Sequence, residues 1–120
     1  MTNTLKQGRI VQKPWGQEEI WAECESYLGK IITVNPGCRL SRQYHVEKEE
    51  TIRVLSGLLH LETGNDTDRN VLIASPGETF HVNPGTVHRF CCKGDTDLIL
   101  LEVSTSHIND VVRLEDDYNR

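Results

Sequence analysis

Apolar residues in this chain come in short bursts that alternate with polar ones, and turn-forming residues close each burst. Leu58, His60 and Glu62 fall on one side of an extended chain, with Leu59 and Leu61 on the other. Leu98, Leu100 and Glu102 oppose Ile99, Leu101 and Val103 in the same way. A repeat of two is the side-chain period of a strand. Runs rich in Ile, Val, Leu and Thr at 30–34, 51–55, 58–62, 70–73, 79–82, 87–91 and 98–103 are therefore predicted as strands. The breaks between runs carry turn chemistry, as at Asn35-Pro36-Gly37, Pro76-Gly77, Asn83-Pro84-Gly85 and Lys93-Gly94-Asp95. No stripe of helical period reaches ten residues. The pattern predicts an all-β sandwich or barrel, whose closure protects the sheet edges.

A chain of 120 residues has room for one hydrophobic core, so a single domain spanning 1–120 is expected. Residues 1–12 read as a flexible arm or an edge strand, 13–103 as the barrel, and 104–120 as a tail laid over the barrel or a free acidic end. With 37% apolar and 26% charged residues, the composition is that of a globular chain rather than a disordered one. The net charge of -5 argues against nucleic acid as a partner, because phosphate neutralisation needs a basic surplus. No apolar run approaches the roughly 18 residues that span a bilayer, so no membrane partner is expected. Met1 to Lys6 contains no apolar segment of the secretory type, which points to the cytoplasm. Cys24, Cys38, Cys91 and Cys92 lack paired zinc-ribbon spacing and are expected as free thiols packed as small apolar groups.

The candidate chemistry gathers in two places. Gln43 and His45 are two apart and share one face of a strand, and a hairpin folds Glu50 back beside them. Some forty residues after His45, the turn Asn83-Pro84-Gly85 feeds a strand carrying His88. Two imidazoles, a carboxylate and an amide oxygen suit one borderline divalent ion such as Zn, Mn, Fe, Co or Ni. Glu49 competes with Glu50 for the carboxylate position, but only Glu50 keeps six residues before Gly57. His60, His81 and His107 read as surface or packing residues, and Trp15 and Trp21 as core or lid aromatics.

The same residues carry a family resemblance. Gly37-x5-Gln43-x-His45-x4-Glu50-x6-Gly57 and Gly77-x5-Asn83-x-Gly85-x2-His88 match the two motifs of the cupins in spacing throughout. Gln43 stands where the first motif has His, and Asn83 where the second has Pro. Gln-x-His, together with Lys13-Pro14-Trp15-Gly16, Pro36-Gly37-Cys38-Arg39-Leu40-Ser41 and the ending Asp110 to Arg120, resembles the C-terminal cupin domain of type II mannose-6-phosphate isomerases, often fused to mannose-1-phosphate guanylyltransferase. The resemblance covers roughly residues 12–120.

It implies a small jelly-roll barrel with one divalent metal ion held by Gln43, His45, Glu50 and His88. It also implies aldose–ketose isomerisation of a sugar phosphate, with mannose 6-phosphate and fructose 6-phosphate as the pair, and a homodimer. Glu47, Lys48, His81 and Arg89 are candidates for base or charge partner, with Lys48 and Arg89 assigned the catalytic role. Arg113 and Arg120 are assigned to the substrate's phosphate. The family's Arg before the Glu is Lys48 here, and its following His-Trp is Thr51-Ile52. Lys keeps the charge but loses the bidentate fork. A non-catalytic cupin that binds a sugar or sugar nucleotide is the alternative, and a metal oxygenase ranks below both.

Overall fold

The computed structural model describes residues 5–120, and strands account for all its regular structure. They are β1 (Arg9–Lys13), β2 (Gly16–Glu23), β3 (Leu28–Val34), β4 (Arg42–Tyr44), β5 (Glu50–Ser56) and β6 (Leu59–Thr63). β7 (Asn70–Ala74), β8 (Thr79–Val82), β9 (His88–Cys91), β10 (Leu98–Ser104) and β11 (Val112–Glu115) follow. Each strand run read from the sequence is one of these. β1, β2, β4 and β11 fall outside those runs, and β2 does so because Gly16-Gln17-Glu18-Glu19-Ile20-Trp21-Ala22-Glu23 is too polar to announce a strand. Its pairing with β3 on one side and β1 on the other imposes the extended form.

All pairings are antiparallel and form two sheets. One runs β1-β2-β3-β10-β5-β8 and the other β11-β4-β9-β6-β7. Residues 1–4 of the expected N-terminal arm lie outside the described residues; Arg9–Lys13 is the edge strand of the first sheet. The C-terminal segment is ordered and ends as an edge strand of the second sheet followed by a turn.

The sheets share one core. Ile32, Val34, Ile52, Val54, Leu98 and Leu100 point in from the first sheet and Leu59, Leu61 and Phe90 from the second, with Trp15 and Leu40 from the connections. Each such side chain contributes about 1.5–3 kcal/mol on burial. Register then decides where the inward charges go. Leu100 sits between Ile32 and Val54, while Glu102, two residues on, sits between Lys30 and Ile52. Lys30 and Glu102, with Glu50 at the start of β5, thus gather toward one end of the barrel, past the apolar Ile32, Leu100 and Val54. Gly57 shows how tight the closed end is: its φ is +81°, and a Cβ there would lie 2.6 Å from the Asp97 carbonyl oxygen.

Candidate metal centre

Three side chains converge at the charged end. β5 begins with Glu50, β9 with His88, and His45 follows directly on β4. Their ligand atoms all lie within 4.8 Å of one another. Glu50 Oε1 is 3.4 Å from His88 Nε2 and 3.7 Å from His45 Nε2. The three residues are 1–3% exposed, so no bulk water bathes the group. Each imidazole is turned by its other nitrogen. Nδ1 of His88 is 2.9 Å from the Thr86 carbonyl, and Nδ1 of His45 is 2.5 Å from the Asp110 carbonyl. A carbonyl only accepts, so both Nδ1 atoms carry the proton and both Nε2 atoms aim inward. There they have no hydrogen-bond partner. The turn that delivers His88 is stitched to the other ligand, since the Gly85 N–H donates to the His45 carbonyl at 2.7 Å. Gly85 has φ +82°, which suits glycine.

Lys48 lies behind Glu50. Its Nζ is 3.0 Å from Glu50 Oε2 and 2.9 Å from Glu102 Oε2. These are ion-pair distances, although neither carboxylate oxygen meets the ammonium along a hydrogen-bond line. Further in, Lys30 Nζ pairs with Glu18 Oε1 at 3.1 Å. Burial works against ionisation of Glu50, while the Lys48 ammonium pulls its carboxyl down. Burial pushes the Glu102 carboxyl up, and the neighbouring Glu50 charge adds to that, against the pull of Lys48 and Lys30. Burial also works against the Lys48 ammonium, but Glu102 and Glu50 outweigh it and hold the proton firmly.

The centre opens on a cavity of about 220 Å³. Gln43, His45, Lys48, Glu50 and Glu102 line its floor, and Lys13, Arg113 and Arg120 belong to its wall. Gln43 is the strand partner of both His88 and Arg113, so the three stand in one row across the second sheet. The Gln43 amide oxygen accepts a hydrogen bond from the Ser41 hydroxyl at 2.6 Å. Arg120 is paired with Asp116. Lys13 and Arg113 have no ion-pair partner among the described residues.

Arg89 does not line the cavity. It follows His88 on β9 and therefore points to the other face, where its Nε donates to the Leu40 carbonyl at 2.8 Å. Its remaining nitrogens lie near Glu115 and Asp117. That position gives it no access to a ligand in the cavity. Glu47 and His81 are likewise outside, paired with His107 and Glu49. Glu18, Lys30 and Glu102 belong to the cavity but escaped the sequence reading. The signal was there: each is a charged residue in phase with buried apolar positions on its own strand.

A two-sheet jelly roll that gathers two His and a Glu at one end defines the protein as a cupin. Its fold matches the capsular polysaccharide assembling protein CapF from Staphylococcus aureus, with a TM-score of 0.79 at 18% identity over 90% of this chain and 34% of that one. The chain belongs to the Mannose-6-phosphate isomerase C-terminal family, whose match spans residues 2–116. Mannose-1-phosphate guanylyltransferase RfbM of Salmonella typhimurium is 32% identical to it, over 94% of this chain and 23% of the relative. Xanthan biosynthesis protein XanB of Xanthomonas campestris is 34% identical, over 93% of this chain and 24% of the relative. The chain thus spans about a quarter of the length of these curated relatives.

Proposed function

We propose that this cupin holds one divalent metal ion and isomerises a sugar phosphate between aldose and ketose, with mannose 6-phosphate and fructose 6-phosphate as the first pair to test. The observation that carries the reading is the inward pair of partnerless Nε2 atoms facing the Glu50 carboxylate in a buried site. Buried polar atoms find partners. Three electron-pair donors facing one another need a cation between them, and a borderline divalent ion suits this donor set. Gln43 lines the same cavity and completes the set of four, provided its oxygen turns from Ser41.

An ion bound there supplies polarisation of a carbonyl group. This chain's own residues do the rest. Lys48 keeps a fixed positive charge beside the developing enediolate, where exclusion of water strengthens its effect. Glu102 is a carboxylate of the floor that belongs to no ligand set and is held toward its protonated form, which suits it to carrying a proton between C1 and C2. Lys13 and Arg113, the cations of the wall without acidic partners, suit the phosphate, with Arg120 beside them.

The test is a coupled assay on purified, metal-loaded protein. Turnover of mannose 6-phosphate supports the reading, and absence of turnover with every hexose and pentose phosphate removes it. A second reading draws support from the names of the longer relatives, a guanylyltransferase and a xanthan biosynthesis protein. In that reading the cupin binds a sugar or sugar nucleotide without converting it. Calorimetry with mannose 6-phosphate and GDP-mannose separates the two, since binding without turnover favours the module.

A further inference from the structure

Three successive backbone N–H groups of the segment between His45 and Glu50 are taken up by one residue far away in the chain. The Asp110 carboxylate accepts the backbone N–H of Val46 at 2.9 Å through Oδ1. Its Oδ2 accepts those of Glu47 and Lys48 at 2.6 and 2.8 Å. Its backbone carbonyl receives the Nδ1 proton of His45. Donor and acceptor residues are 62–65 positions apart, so this is a tertiary clamp and not a local turn. The segment that bears Asp110 is itself anchored on either side. Thr105 exchanges two hydrogen bonds with Glu49 at 3.0 and 3.2 Å. Asp117 takes a two-pronged pair from Arg39 at 2.8 and 3.0 Å.

From these contacts we infer that Asp110 is a positioning residue that couples the docking of the C-terminal segment, residues 105–120, to ion binding at His45, Glu50 and His88. The inference rests on the metal reading given above. The physical chain is short. The carbonyl of Asp110 selects the His45 tautomer and ring angle that send Nε2 inward. The carboxylate fixes the backbone on which Lys48 and Glu50 follow. Partners that orient a ligand in this way typically contribute 10- to 100-fold to ion affinity. Coupling of this kind is reciprocal, so an ion that prefers the clamped loop also tightens the segment that clamps it.

Zn²⁺ and Co²⁺ are each titrated into the metal-free full chain by calorimetry, and amide hydrogen exchange is followed with and without the ion. Asp110→Ala is expected to weaken ion affinity about 10- to 100-fold. Asp110→Asn, which keeps the shape and one acceptor oxygen, is expected to fall between it and the unchanged protein. In the unchanged protein the ion is expected to slow exchange at amides 46–48 and 105–111, and in Asp110→Ala to leave them fast. Asp117→Asn loosens the same segment from the Arg39 side without touching the Asp110 contacts, and is expected to weaken ion affinity as well, by less than Asp110→Ala. Wild-type affinity in folded Asp110→Asn and Asp110→Ala overturns the inference, as does exchange at 46–48 that ignores the ion. Failure of the unchanged protein to bind either ion is a different result, and overturns the metal reading beneath it.

Discussion

At the scale of the residue, the site is a problem of burying charge. Glu50 and Glu102 are both about 97% removed from solvent, and Lys48 lies between them. An isolated buried carboxylate is expensive, and two of like sign are more so. The ammonium makes the arrangement tolerable in the metal-free protein. Lys48→Met is therefore expected to destabilise that form by about 3–5 kcal/mol in denaturant titration, since it removes the cation that both carboxylates share. A change below about 1 kcal/mol would show that water reaches the pair. Arg89 is the contrasting case. It is as deeply buried as the ligands, yet its partners are a carbonyl and two acidic residues of the C-terminal segment, so it serves the packing of that segment.

At the scale of the element, β10 and the C-terminal segment have different jobs. β10 lies between β3 and β5 and its Leu98 and Leu100 are wholly buried. Leu100→Ala is expected to cost about 2–5 kcal/mol, read from the midpoint of a denaturant curve, with the cooperativity retained. The C-terminal segment depends instead on ionised groups. The Arg120 side chain and backbone N–H hold the Asp116 carboxyl at about 2 against the effect of burial. A depressed carboxyl stabilises the fold fully above its ordinary value near 3.8 and loses that contribution as pH falls toward 2. The unchanged protein should therefore lose thermal stability more steeply than Asp116→Asn between about pH 4 and pH 2. Parallel curves for the two would show that Asp116 does not contribute.

At the scale of the whole molecule, the barrel has an apolar end that holds it together and a charged end that it pays to keep. A bound divalent ion relieves that cost. At a hundred times its dissociation constant it adds about 2.7 kcal/mol to the folded state, which for a domain of this size raises Tm by roughly 10 °C. A chelator should return Tm to the metal-free value, and a Tm indifferent to both additions would speak against an ion at this site. The homodimer implied by the family resemblance belongs to the same scale. Light scattering is expected to give twice 13.7 kDa, and a mass of 13.7 kDa at all concentrations would remove the dimer.

What the sequence determined by itself is the all-β class, the positions of seven strands, and the candidate trio His45, Glu50 and His88. His45 and Glu50 were legible because a shared strand face and a short return are local, and His88 because the spacing from Gly77 through Gly85 matches the second cupin motif. The placement of Arg89 was legible by the same alternation, being one residue past an inward His88, and the motif-based assignment overlooked it. What only the tertiary structure decided depends on register and on backbone atoms. Alternation puts Glu102 in phase with Leu98 and Leu100, but Ile99, Leu101 and Val103 make the opposite face equally apolar, so which face turns inward was decided by the pairing with β3 and β5. The polar Gly16–Glu23 becomes a strand only because β3 and β1 flank it. Asp110 acts on amide hydrogens and through its own carbonyl, groups that every residue carries and no pattern of side chains reveals.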